Sequence, residues 1–244
     1  KEISKQPLLT VQGLGLSGFY EDVNFSLHKG EILGITGLLG SGRTELALSL
    51  FGMQHADTGT IAVEGQPVEL KSPKDAMRHG IGYLPEDRLS EGLFLPLAIG
   101  NNIIAAELDN FTNKLGVVDQ VKMQQEINRW VDELAIATPN PNNACNTLSG
   151  GNQQRVVLAK WLARDLKVLV LNGPTVGVDI GSKYDIHQVL RRLAEQGLGL
   201  IIISDDIPEI LTNCSKVLIM RNGRISAELS PDRADEQMLS RYMM

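Results

Sequence analysis

Cysteine is scarce: Cys145 and Cys214 are the two in 244 residues, and they share neither a disulfide-like pairing nor a metal-ligand spacing. Two free thiols with no Cys/His cluster fit a reducing cytosol and exclude a disulfide scaffold or zinc module. The four histidines, His28, His55, His79 and His187, are scattered without ligand spacing and are expected at surface or turn positions. Long hydrophobic runs are also missing. Stretches such as Leu200 to Ile203 fall far below the roughly 20 residues of a membrane span. Positive charge is in deficit, 23 Lys+Arg against 29 Asp+Glu for a net −6, which argues against an electrostatic nucleic-acid binder. The polar opening Lys1 to Gln6 is no signal peptide. The absence of an initiator Met reads as processing or as a fragment of a longer protein.

What remains is ordinary globular composition, 43% hydrophobic and 21% charged. At this length a domain buries roughly 70–75% of its unfolded surface and needs no staples. The apolar runs Glu31–Thr36, Ile81–Leu84, Lys167–Leu171, Leu198–Ser204 and Lys216–Met220 are continuous rather than alternating, as in strands covered on both faces of a parallel sheet. Helical spacing lies between them at Arg43–Phe51, Asn152–Arg164 and Ser182–Gln196, which predicts an α/β fold. Leu8–Gln12 and Asp22–Leu27 read as antiparallel. So does the Met220–Leu229 hairpin about Asn222-Gly223. From Pro96 to Thr147 no strand-like run appears. There Val121, Ile127, Trp130, Val131 and Leu134 recur at three- and four-residue steps, the mark of a helical insert, which ends in the loop Pro139–Asn143.

Gly37-Leu-Leu-Gly40-Ser41-Gly42-Arg43-Thr44 follows a buried strand and opens a helix. Its spacing is that of the P-loop, with Arg43 where Lys is usual. Glycines let backbone N–H groups curl inward and the helix N-terminus adds partial positive charge. Thr44 offers a hydroxyl to Mg²⁺, and Arg43 offers a planar guanidinium to the β- and γ-phosphates.

Leu148-Ser149-Gly150-Gly151-Asn152-Gln153-Gln154 resembles the signature motif of ATP-binding cassette proteins. In that family the signature binds the γ-phosphate of nucleotide held by an opposing domain. Ser149 suits an N-cap, and the glycines and helix dipole suit an anion. Tyr83–Arg88, Glu91–Pro96, the P-loop segment and Pro174–Gly181 further resemble the second ATP-binding half of sugar-import cassette proteins of the ribose and galactose class, over residues 7–230. The resemblance implies a P-loop NTPase cassette fold: a mostly parallel core sheet, an antiparallel β subdomain and a helical insert. It implies one domain over 1–244, with core 1–95 and 148–244 and helical subdomain 96–147. ATP and Mg²⁺ are the implied cofactors. A second cassette in the same polypeptide and membrane permease subunits are the implied partners, with no nucleic acid and no direct sugar contact. The implied location is peripheral, on the cytoplasmic face of the plasma (inner) membrane, and the isolated domain is expected to be soluble.

The sequence departs from that family at one site. Where the family's strand ends in Asp-Glu, this chain has Asn172-Gly173, so Asn172 keeps an oxygen for magnesium but no charge, and Gly173 supplies no general base. A positioned base is worth 10²–10⁴-fold, or about 3–5 kcal/mol of barrier. Glu86 stands where a glutamine is usual and Asp205 where a histidine is usual. The aspartate facing the partner domain is retained as Asp179. With Ser149, Gly150, Gly151 and Gln153 in place, the expectation is a signature given in trans beside a degenerate site of its own.

Other residues leave choices open. Phe19 or Tyr20 could stack on adenine or pack against the first strands. Arg88 with Glu91 reads as a loop salt bridge or a nucleotide-sensing element, and Arg191-Arg192 as a solvated face. Gly92–Leu97 reads as a groove for a permease helix or as core packing. The rival function, a soluble cassette acting on nucleic acid or ribosomes, needs a basic patch, a long coiled-coil insert or zinc cysteines, and the sequence has none. A P-loop kinase or GTPase is disfavoured by the signature and by the lack of Asn-Lys-x-Asp.

Overall fold

In the computed structural model, residues 6–113 and 116–244 are described. The first five residues of the polar opening, and residues 114 and 115 of the insert, lie outside them. The strands run in order β1 (Pro7–Leu16), β2 (Tyr20–His28), β3 (Ile32–Gly37), β4 (Thr58–Val63), β5 (Gln66–Val68), β6 (Ile81–Leu84), β7 (Val168–Asn172), β8 (Gly199–Ile203), β9 (Lys216–Arg221) and β10 (Arg224–Leu229). The α-helices are α1 (Arg43–Leu50), α2 (Pro73–Arg78), α3 (Ile99–Ile104), α4 (Gln120–Glu133), α5 (Gly150–Leu162), α6 (Ile180–Glu195), α7 (Ile207–Asn213) and α8 (Glu236–Met243).

The chain falls into two compact units: residues 1–83, 167–174 and 190–244 in one, and 84–166 with 175–189 in the other. The first unit carries the sheets. One has the order β10-β9-β3-β8-β7-β6, the other β2-β1-β4-β5. Strands β9, β3, β8 and β7 run parallel, and β10 adds an antiparallel edge. The apolar runs are explained by burial: β3, β6, β7 and β8 are buried at every position. The second sheet is antiparallel throughout. The hairpin at Asn222-Gly223 forms as its sequence predicts, with both residues at positive φ, 50° and 77°.

Strands β4 and β5 have no counterpart in the sequence reading. Three of the six β4 residues are exposed, Gly59 interrupts the run, and Pro67 sits in the edge strand β5. These features erase the usual strand signals. The turn between the strands, Glu64-Gly65, takes positive φ at both residues without the usual Asn or Asp.

In the second unit, Ile127 and Trp130 of α4 face inward and Leu134 follows them into the core. Val121 departs from the predicted apolar face and is 70% exposed, because the helical period sets it on the side of α4 opposite Trp130. Histidine 187 also corrects an expectation. It is buried in α6 rather than at the surface, while His55 is exposed. Both cysteines are free and buried; burial lifts the Cys145 thiol to about 11 and pushes the Cys214 thiol up as well. Asn102 is almost fully buried in α3 and holds the preceding loop from both sides. Its Oδ1 accepts from the Phe94 N–H at 2.7 Å, and its Nδ2 donates to the Phe94 and Ala98 carbonyls at 3.0 Å each.

Lys160 of α5 yields a pH prediction. Its Nζ donates to the Gly92 carbonyl at 2.6 Å, and burial pushes the ammonium down to about 8 from its ordinary 10.5. The unfolded chain therefore binds that proton more tightly. The stability withheld at pH 7 returns as pH rises through 8 toward 10.5. Denaturant titrations of the chain and of Lys160→Met at pH 7 and pH 10 should show the difference moving in favour of Lys160 by about 2 kcal/mol. An unchanged difference would refute the burial of the charge.

Candidate functional site

Two groups of side chains carry the chemistry, one in each unit. The first lies at the C-terminal ends of three parallel strands, where ligands of open α/β sheets bind. Register pairs Ile35 of β3 with Ile203 of β8 and Ile203 with Asn172 of β7, so the loops after these strands leave the sheet at one edge.

After β3 the chain curls through Gly40 (φ 79°) and Gly42 (φ 92°), left-handed values that favour glycine, and α1 begins at Arg43. No side chain caps α1, so the first-turn N–H groups face outward with the positive end of the helix. Gly37 is required for space: a Cβ there would lie 2.5 Å from both the Met220 carbonyl and Ser41 Oγ. The hairpin tip braces the loop, with Gly223 N–H donating to the Ser41 carbonyl at 3.1 Å. Ser41 is buried, and its hydroxyl has no hydrogen-bond partner among the described residues. An orphaned hydroxyl beside curled N–H donors fits an anion such as phosphate.

Around that cradle stand the departures. Asn172 ends β7, buried, with Nδ2 3.4 Å from the Tyr83 hydroxyl. Gly173 follows at φ 60° and donates its N–H to the Ile203 carbonyl at 2.8 Å. Thr44 is half-buried in the first turn of α1. With Asn172 it offers Mg²⁺ two neutral donors, whereas that ion favours carboxylates. Arg43 turns to the residue at the other altered position: its Nη2 lies 3.3 Å from Asp205 Oδ2, with the arginine side chain 11% exposed and the aspartate 73%. The turn bearing Asp205 is pinned on both sides. Ser204 Oγ donates to Glu209 at 2.5 Å and accepts from the Asp206 N–H at 3.1 Å, while Asp206 caps α7.

A cleft of about 510 Å³ adjoins Gly40 and is lined by Leu16, Phe19, Tyr20 and Gly223 among others. Of these two aromatics, Tyr20 is buried and Phe19 is 48% exposed.

The second group lies in the other unit. Ser149 caps α5, accepting from the Asn152 N–H and, at 2.9 Å, from Asn152 Nδ2. Asn152 Oδ1 in turn accepts from the Ala137 N–H at 2.8 Å, which ties the cap to the end of the insert. Leu148 and Gly150 are half-buried, and Gln153 is buried. Both signature glycines have packing reasons that sequence reasoning missed. A Cβ on Gly150 would lie 2.7 Å from Arg88 Nη2, and one on Gly151 would lie 2.1 Å from Ser182 Oγ. No local signal reveals Ser182, since it is 31 positions downstream.

Arg88 bonds to backbone carbonyls rather than forming the loop salt bridge with Glu91. Its Nη1 donates to the Val176 carbonyl at 2.7 Å and its Nη2 to Gly177 at 3.0 Å, while Glu91 is exposed. Burial pushes the guanidinium pKa down, so the carbonyl bonds compensate for lost hydration. The side chain thus links the turn after β6 to the 176–177 loop and sits against the signature. Glu86, two residues earlier, is exposed. Asp179 accepts from the Ser182 N–H at 2.9 Å and from its hydroxyl at 2.7 Å, bonds that hold its carboxyl below the usual range.

Comparison with known proteins fits this arrangement. The family model for ABC transporters matches residues 20–176. A putative ribose/galactose/methyl galactoside import ATP-binding protein of Agrobacterium fabrum is 40% identical over 235 residues, covering 96% of this chain and 46% of that protein. The ribose import ATP-binding protein RbsA of Clostridium tetani is 37% identical over 243 residues, covering 99% of this chain and 48% of its own length. The chain thus spans about half the length of the curated relatives it matches. Among solved structures, a nucleotide-free ATP-binding cassette from an ABC transporter superposes with a TM-score of 0.82 at 20% identity, covering 98% of this chain and 99% of that one. By sequence and by fold, the chain belongs to the ABC transporter family as an ATP-binding cassette domain.

Proposed function

We propose that the chain is the nucleotide-binding domain of an ATP-driven carbohydrate importer, peripheral to the cytoplasmic face of the membrane. In this reading Ser149, Gly150 and Gly151 serve, in trans, a competent site whose P-loop lies on a second cassette. The chain's own P-loop, Gly37 to Thr44, holds nucleotide with little or no turnover. The observation that carries the reading is the contrast between the two groups. The signature helix keeps its serine cap and close-packed glycines. The P-loop faces an uncharged Asn172, a side-chain-free Gly173 and an Asp205 paired with its own cation.

The relatives' names support sugar import as the process, and a domain whose described residues include no spanning helix would act there through membrane permease subunits. Phe94 and Leu97, 60% and 49% exposed on the loop held by Asn102, supply apolar surface for such a subunit. Among the described residues no helix is long and apolar enough to cross a membrane. Phe19 is the aromatic assigned to stack on adenine beside Gly40.

Phosphate release by the chain alone at saturating Mg-ATP tests the degenerate site. We expect a rate well below 1 s⁻¹, since the general base is missing and the magnesium donors are neutral. Turnover on the order of 1 s⁻¹ or faster would sink the reading.

A further inference from the structure

We propose that Asp205 makes this P-loop selective for a nucleoside diphosphate over a triphosphate, by engaging the Arg43 guanidinium that a terminal phosphate would use. The inference rests on the reading of Gly37 to Thr44 as a nucleotide site and adds the identity of the nucleotide.

The backbone N–H groups of a P-loop cradle the α- and β-phosphates and its penultimate cation reaches the β- and γ-phosphates, so the γ-phosphate alone depends on the cation without the N–H cradle. In this chain that cation already has a carboxylate: Arg43 Nη2 lies 3.3 Å from Asp205 Oδ2. A guanidinium offers the same planar fork to carboxylate and to phosphate, so the two anions compete for one donor set. The arginine side chain is 11% exposed and the aspartate 73%, so the guanidinium is enclosed while water reaches and screens the carboxylate.

Asp205 is also not free to leave the neighbourhood. Ser204 is bonded to Glu209 and to the Asp206 N–H, Asp206 caps α7, and the Ser204 N–H donates to the Ile35 carbonyl at 3.2 Å. A third phosphate must therefore displace the Asp205 side chain from Arg43 and then sit close to the displaced charge. The end of β7 does not relieve that repulsion, since Asn172 is neutral and Gly173 has no side chain. A diphosphate uses the curled N–H groups at Gly40 to Thr44 and leaves the Arg43–Asp205 pair intact.

The test is equilibrium binding to the chain by calorimetry, with ADP and with the non-hydrolysable β,γ-imido analogue of ATP, each with and without Mg²⁺. We expect ADP to bind at least tenfold more tightly. Asp205→Asn keeps the shape of a largely exposed side chain and should fold normally. It should bring the two affinities within about threefold, by tightening the triphosphate and leaving ADP nearly unchanged. Equal or tighter triphosphate binding by the unmodified chain, or an Asp205→Asn effect that is the same on both ligands, overturns the selectivity while leaving the nucleotide site standing. Binding of neither ligand to either protein overturns both.

Discussion

In the two-cassette assembly proposed above, Ser149→Tyr is expected to lower ATP hydrolysis by at least 10²-fold while leaving the domain folded. Ser149 is exposed, and its bonds go to the Asn152 amide groups. A larger side chain can therefore project into solvent, and the structural loss is that of one N-cap, about 1 kcal/mol. The functional loss is greater, because the ring would stand over the first N–H groups of α5. That helix is 13 residues long, and its positive end is the feature that suits an anion presented by a partner. Removing one preorganised donor from a developing negative charge costs 10²–10³-fold in comparable sites. Hydrolysis within threefold of the unmodified assembly would refute the trans role. Gly150→Asp is a less clean test. A Cβ there meets Arg88 Nη2 at 2.7 Å and the Gly177 carbonyl at 3.1 Å, so a carboxylate would draw Arg88 from its carbonyls. Loss of activity would then mix a blocked site with a displaced loop.

Gly151→Ala should destabilise the domain by about 3 kcal/mol, the upper part of the range for an added methyl in a filled space. The new Cβ would lie 2.1 Å from Ser182 Oγ and 2.6 Å from its Cβ. A rotamer change could move the hydroxyl but not the Cβ, so either α5 or the start of α6 must shift. Ser182→Gly vacates that space and forfeits both hydrogen bonds to Asp179. The double variant Gly151→Ala/Ser182→Gly should therefore be more stable than the sum of the single losses by at least 1 kcal/mol, read from denaturant midpoints. Strict additivity would show that the glycine is not held by this contact.

The acid response of that corner follows the same bonds. Asp179 has its carboxyl held below the usual range by the Ser182 hydroxyl and N–H. Its contribution is present above the unfolded carboxylate value and is lost as pH falls through the lower folded one.

Much of the fold was legible because burial writes itself into sequence. Strands covered on both faces, such as β3 and β8, must be apolar throughout, and a two-residue Asn-Gly turn needs positive φ. Motif spacing was legible for a similar reason, since a phosphate cradle fixes where Gly40, Gly42 and the helix start must fall. Strands β4 and β5 were not legible. Gly59 and Pro67 interrupt their patterns, and it is the pairing of β4 with β1 and of β5 with β4 that makes them strands. Arg88 stayed ambiguous because its partners are backbone carbonyls, which every residue has. His187 misled because burial of one helical face depends on what the helix packs against.

The sequence by itself determined that this chain is scarce in cysteine and net acidic, reads as an α/β cassette, and carries Arg43, Asn172, Gly173 and Asp205 where the family resemblance leads one to expect other residues. Each of these is a property of residue identity or of spacing along the chain. Only the tertiary structure decided that two of the alterations meet. Arg43 and Asp205 are 162 positions apart, and the parallel pairing of β3 with β8 brings their loops to one edge. It likewise decided that Tyr20 is buried while Phe19 stays exposed beside the cleft, and that Gly151 is held by Ser182. Contacts between distant segments depend on register and side-chain direction, which long-range packing sets and local sequence does not encode.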